Sequence, residues 1–212
     1  MRDLTAHEAR VLGVLVEKQA TVPDTYPLSL NSLSAGCNQK TARDPVLALS
    51  DADVLTAIDG LKSMSLVLEG SSSRVTRYEH NLGRVTSLPG QSVALLAVLM
   101  LRGPQTSAEL RANCERLHRF ADISSVEGFL DELATKAPPR VLHLPRAPGA
   151  REARWAHLLC GEAAIPAPQA VAAREGAALP PDELAALVAE LARLRERIER
   201  LETELGLAAQ GD

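Results

Sequence analysis

Residues 50–80 read SDADVLTAIDGLKSMSLVLEGSSSRVTRYEH, and this stretch decides the fold. Ser50 and Asp53 stand three apart, the spacing at which a cap hydroxyl and a carboxylate satisfy each other's backbone N–H groups at a helix start. Behind them Val54, Ala57, Ile58 and Leu61 recur at helical spacing and predict a helix with one buried face. The pattern then changes. Residues 66–69 and 75–79 are β-prone runs on either side of Gly70-Ser71-Ser72-Ser73, which predicts a hairpin with a polar tip.

Upstream, Thr5 and Glu8 form a second capping box, and Ala9, Leu12 and Val16 share one face of a helix over residues 5–19. Tyr26-Pro27-Leu28 interrupts it, and Ser29 is placed to cap a short helix carrying Leu30, Leu33 and Cys37 before the Asp44-Pro45 turn. Downstream the same order recurs. Residues 92–101 form an apolar helix, Thr106 with Glu109 caps the next, and Ser124 with Glu127 caps a third bearing Phe129, Leu130 and Leu133. Residues 141–144 and 155–159 then flank a polar tip at 145–151. Three helices followed by a hairpin, twice over, is the winged-helix order. The expected fold is therefore mainly α with small β-hairpins (α+β): winged-helix domains at 1–88 and 89–160, an Ala/Pro-rich linker at 161–181 and a coiled-coil helix at 182–206.

In that last segment Leu184, Leu191, Ile198 and Leu205 fall at a-positions, and Leu187, Leu194 and Leu201 at d-positions, of a heptad seam. In a parallel pair Glu190 would meet Arg195, and Arg197 would meet Glu202, of the other chain. The expected consequence is a parallel homodimer through the C-terminal helix. Each charge pair contributes only a few tenths of a kcal/mol, so the leucine seam must supply the stability.

Several short runs resemble the YceH-like family of uncharacterised bacterial proteins. They are Glu17-Lys18-Gln19, Cys37-Asn38-Gln39-Lys40 with Arg43-Asp44-Pro45, Arg77-Tyr78-Glu79-His80, Arg102-Gly103-Pro104-Gln105-Thr106 and Ala156-His157-Leu158-Leu159. They span residues 4–161. The resemblance implies a tandem winged-helix fold and a bacterial origin, and brings no catalytic or ligand residues with it.

The totals narrow the function classes. At 212 residues, 46% hydrophobic and 24% charged, the chain can bury a core. Only 2% is aromatic, which leaves little material for stacking single-stranded bases. The net charge of −4 is uneven. Residues 1–88 hold 9 Lys/Arg against 10 Asp/Glu, residues 89–160 hold 9 against 7, and residues 161–212 hold 5 against 10, so the acidity sits in the tail. Three cysteines without a C-x-x-C pattern fit a reducing cytoplasm rather than a disulfide framework. Residues 93–101, the longest apolar run, are too short to span a bilayer, so no membrane role is expected.

No phosphate-binding loop, dinucleotide fingerprint, nucleophile elbow or zinc-protease motif is present, so no enzyme activity and no cofactor are expected. Cys114 with His118 and His157 with Cys160 are considered as zinc ligands and set aside, because their spacing is weak. DNA recognition by the third helices is opposed by charge: Asp51, Asp53 and Asp59 stand against Lys62, and Glu127, Asp131 and Glu132 against Lys136. The basic groups lie instead on the hairpins. Arg74 and Arg77 on the first, and Arg140, Arg146, Arg151 and Arg154 on the second, are the candidate phosphate contacts. Asn38, Gln39, Lys40 and Arg43 form a polar cluster of base-reading residue types, for which a structural role in a shaped turn is the favoured expectation. Two functions follow: a dimeric regulator holding double-stranded DNA through its wings, or an adaptor whose winged helices bind an unidentified protein.

Overall fold

The computed structural model describes residues 2–70, 75–146 and 149–162, together with Arg193 and Arg197. The chain begins with α1 (Ala6–Thr21), held at its start by the reciprocal Thr5–Glu8 box: Glu8 N donates to Thr5 Oγ1 at 3.2 Å and Thr5 N to Glu8 Oε2 at 2.8 Å. Residues 8–16 of this helix are buried all round, because other elements cover it on several sides. After a 3-10 turn at Pro23–Thr25 come β1 (Leu28–Ser29) and α2 (Leu30–Cys37), the latter capped by Ser29. Next is α3 (Asp51–Ser63) behind its Ser50–Asp53 box, then the hairpin of β2 (Val67–Gly70) and β3 (Arg77–His80). The sheet order is β1-β3-β2, antiparallel, with Leu28 opposite Tyr78 and Val67 opposite His80.

A short helix, α4 (Leu82–Thr86), turns through left-handed Ser87 into α5 (Gly90–Arg102). Then α6 (Ser107–Cys114), α7 (Ile123–Thr135) and the antiparallel pair β4 (Val141–His143) and β5 (Trp155–His157) repeat the earlier order. Gln105 forms an isolated antiparallel bridge with Trp155, in the place that β1 holds in the first half. One expected cap is corrected. Asp122, not Ser124, starts α7, its carboxylate accepting from Ser125 N at 2.7 Å and from Ser125 Oγ at 2.8 Å. An ionised carboxylate is the stronger acceptor for orphan N–H groups, and it claims the position two residues earlier.

The two halves share their packing. Where α1 crosses α5, a Cβ on Gly13 would lie 3.0 Å from Leu101 Cγ, so the absence of a side chain lets the helices approach closely. Gly36 does the same for α2, since a Cβ there would lie 2.6 Å from Val14 Cγ1. Leu12, Leu15, Leu33, Ile58, Leu61, Leu95, Leu96 and Leu99 belong to one continuous buried cluster. Residues 1–168 accordingly form one compact unit, within which the boundary drawn from sequence near residue 88 falls. Residues 169–212 form the second, where Arg193 and Arg197 are helical and exposed. The linker at 161–181 begins at the edge of the described residues. The heptad seam of Leu184, Leu187, Leu191, Leu194, Ile198, Leu201 and Leu205 lies outside them, as does Arg74.

Candidate functional site

The polar cluster after α2 is a set of internal hydrogen bonds. Asn38 Nδ2 donates to Leu49 O at 2.8 Å and Leu49 N donates to Asn38 Oδ1 at 2.7 Å, so one side chain closes the loop that leads into α3. Arg43 is 6% exposed. It grips Glu17 of α1 with both Nη groups, at 3.1 and 2.6 Å, and also donates to Gln39 Oε1, Gly36 O and Ala42 O. Burial by itself would raise the Glu17 carboxyl, but the hydrogen bonds and charge of Arg43, with help from Lys18, hold it below the usual range. Lys40 stands exposed beside this network. The geometry commits Asn38, Gln39 and Arg43 to the protein itself.

The hairpin arginines divide into two groups. Arg77 Nη1 donates to Thr25 O at 3.2 Å and Pro27 O at 2.7 Å, clamping the segment before β1. Arg154 occupies the matching place in the second half: it donates to Pro104 O at 2.8 Å and pairs with Glu109 at 3.1 Å. Arg140 is half-buried, with its backbone bonded to Leu133 and Leu158. Arg146 and Arg151, on the loop between β4 and β5, are exposed and make no ion pair or hydrogen bond among the described residues. Two cations are thus left pointing to solvent.

The acidic residues of the third helices serve partly as caps. Asp53 closes the α3 box, Asp51 accepts from Ser34 Oγ at 2.6 Å, and Lys62 is paired with Glu69. Among the described residues no group of three or more His, Cys, Asp or Glu side chains could hold a metal ion. Cys114 is buried, which pushes its thiol up to about 12, and His118 packs edge-on to Phe120 at 4.7 Å. No helix of the described residues is long and apolar enough to cross a membrane.

These features define a mainly helical α+β protein with small antiparallel sheets, whose most polar clusters are largely consumed by its own architecture. The chain belongs to the DUF480 family, described as a protein of unknown function, which matches residues 4–150. It is 69% identical to a UPF0502 protein of Leptothrix cholodnii, over 97% of each chain. A UPF0502 protein of Burkholderia pseudomallei is 63% identical over 98% of this chain and 91% of its own, and one from Cupriavidus taiwanensis is 62% identical over 99% and 90%. This agrees with the resemblance to uncharacterised YceH-like proteins carried by the short runs above.

Proposed function

We propose that this is a non-enzymatic, cytoplasmic tandem winged-helix protein that associates with duplex DNA as a dimer, gripping phosphates through the tip of its second hairpin. The doubled order of helix, bridge or short strand, two helices and hairpin supports the winged-helix reading. The observation that carries the DNA reading is the exposure of Arg146 and Arg151 without internal partners among the described residues, while Arg77 and Arg154 are spent on their own halves. Guanidinium groups so presented suit phosphate oxygens. The acidic third helices make entry into the major groove unfavourable, so affinity should be steeply salt-dependent and sequence preference modest.

Anisotropy titration of the full chain against a random duplex at several salt concentrations tests this. Replacing both Arg146 and Arg151 by alanine should lower the slope of log K against log salt by about two, at roughly 0.9 per lost phosphate contact. Arg77→Ala should leave that slope unchanged. No binding at micromolar protein would sink the DNA reading and favour the adaptor, for which Leu55, 39% exposed on the acidic face of α3, is the specific support. The dimer rests on the heptad pattern. Light scattering should give a dimer for the full chain and a monomer after truncation at Ala178; a dimer that survives truncation would exclude the tail as the dimerising element.

A further inference from the structure

A cavity of about 280 Å³ lies between the first turns of α1, residues 44–47, the end of α5 and β5, so both halves of the unit wall it. Its lining is mainly apolar, with Leu4, Leu47, Leu99 and Met100 among the walls. Two polar side chains in that lining are incompletely used. Arg10, 2% exposed, projects from the otherwise apolar middle of α1. Its Nη1 donates to Cys37 O at 3.0 Å and its Nη2 to Pro45 O at 2.5 Å, but a guanidinium carries five N–H groups and its Nε is buried without an acceptor.

Charge adds to the argument. Arg10 makes no ion pair within 4 Å among the described residues; Arg43 nearby repels it, and Asp44 on the cavity wall attracts it less than Arg43 repels it. His157 lines the same cavity, and its Nδ1 is also buried without a partner. Burial lowers that imidazole to about 4, so it is neutral at pH 7 and offers one N–H. A purely structural role for Arg10 accounts for its bonds to two carbonyls. It leaves unexplained the orphan Nε, the orphan on His157 and the cavity that both residues line.

We propose that this cavity binds a small organic monocarboxylate with an apolar body, the carboxylate drawn to the Arg10 and His157 side and the body packed against Leu4, Leu47, Leu99 and Met100. A carboxylate offers acceptors only, and adds negative charge beside Arg10, whose attraction to Asp44 is outweighed by the repulsion of Arg43. At the packing density of protein interiors the space holds on the order of ten non-hydrogen atoms, the size of octanoate or benzoate. Such a pocket, apolar with a few convergent polar groups at a junction between packed units, is the usual form of a small-molecule site.

Isothermal titration calorimetry of the full chain with octanoate, and separately with octylammonium, tests the proposal. Octanoate should bind one to one with a Kd below about 1 mM, and octylammonium at least about tenfold more weakly. Arg10→Gln should weaken octanoate by a similar factor. Because Arg10→Gln also removes bonds to Cys37 O and Pro45 O, Leu47→Trp, at a half-buried wall position, provides a second measurement: it should fill the space and abolish octanoate binding while leaving the circular dichroism unchanged. Absence of octanoate binding at millimolar concentration, equal binding of the two probes, or wild-type binding by folded Leu47→Trp would each overturn the assignment. The titrations contain no DNA, so their failure and the failure of the DNA reading are separately visible.

Discussion

Arg43→Ala is expected to cost about 3–5 kcal/mol of folding stability, the range for removing one partner of a buried ion pair. The guanidinium makes five hydrogen bonds that tie α1, the end of α2 and the following turn together. Alanine would leave Glu17, whose side chain is 15% exposed, with Lys18 as its remaining cation at 3.2 Å, and would orphan the Gly36 carbonyl. Arg43→Lys should recover only part of the loss, since an ammonium cannot span both carboxylate oxygens and two backbone carbonyls at once. Urea denaturation at pH 7 measures both variants. A loss below about 1 kcal/mol for alanine would show that the pair behaves as an exposed one.

The same pair sets a pH dependence. A carboxyl held low in the folded state contributes stability above its unfolded pKa, about 4.3, and loses it as pH falls through the folded value. Burial is already the largest single influence on Glu17, and without Arg43 only Lys18 opposes it, so the protonated form is favoured. The stability gap between wild type and Arg43→Ala should therefore narrow as pH falls from 7, first as Glu17 takes up its proton in the folded variant and then, below about 4.3, in wild type. A gap that stays constant from pH 7 to pH 4 would place the destabilisation elsewhere.

Leu101→Ala should destabilise the chain by about 2–5 kcal/mol, the range for emptying a buried leucine site. Leu101 is 2% exposed and lies directly over Gly13 at the crossing of α1 and α5, where no side chain on α1 can move in to fill the space. Its position also tests how the halves are coupled. Trp155, the sole tryptophan, reports on the second half, while far-UV ellipticity reports on all helices. Because the buried cluster is continuous, both signals should fall in one transition and shift together in the variant. A Trp155 transition that moves while much of the ellipticity stays in place would show two separately stable domains, as the sequence boundary near residue 88 implies.

Much of the local architecture was legible because its causes are local. The Thr5–Glu8, Ser50–Asp53 and Thr106–Glu109 boxes each form over three residues, and each begins a helix where the spacing places it. The hairpins follow from β-prone runs around polar tips. At α7 the spacing points two residues late, since Asp122 and Ser124 both precede suitable partners and the backbone path chooses between them. Two-residue β1 and the Gln105 bridge carry no periodicity to read.

The candidate site was less legible. Arginines at 77 and 154 share composition and hairpin location with those at 146 and 151, yet each of the first two reaches a carbonyl 50 residues away. Arg10 carries a signal in the sequence: a lone cation inside the apolar run from Ala9 to Val16 must either reach solvent or find a buried role.

The sequence by itself determined the main helices, most of their caps, the two hairpins, the repeat of their order and the membership in an uncharacterised bacterial family. These depend on hydrogen bonds and hydrophobic spacing within a few residues, which composition and periodicity encode directly. The tertiary structure alone decided that Arg43 serves Glu17, 26 residues away, that only part of the hairpin charge faces solvent, and that Arg10 and His157 wall one cavity. Those outcomes depend on which distant segments the shared core brings within hydrogen-bond reach, a distance that no local pattern carries.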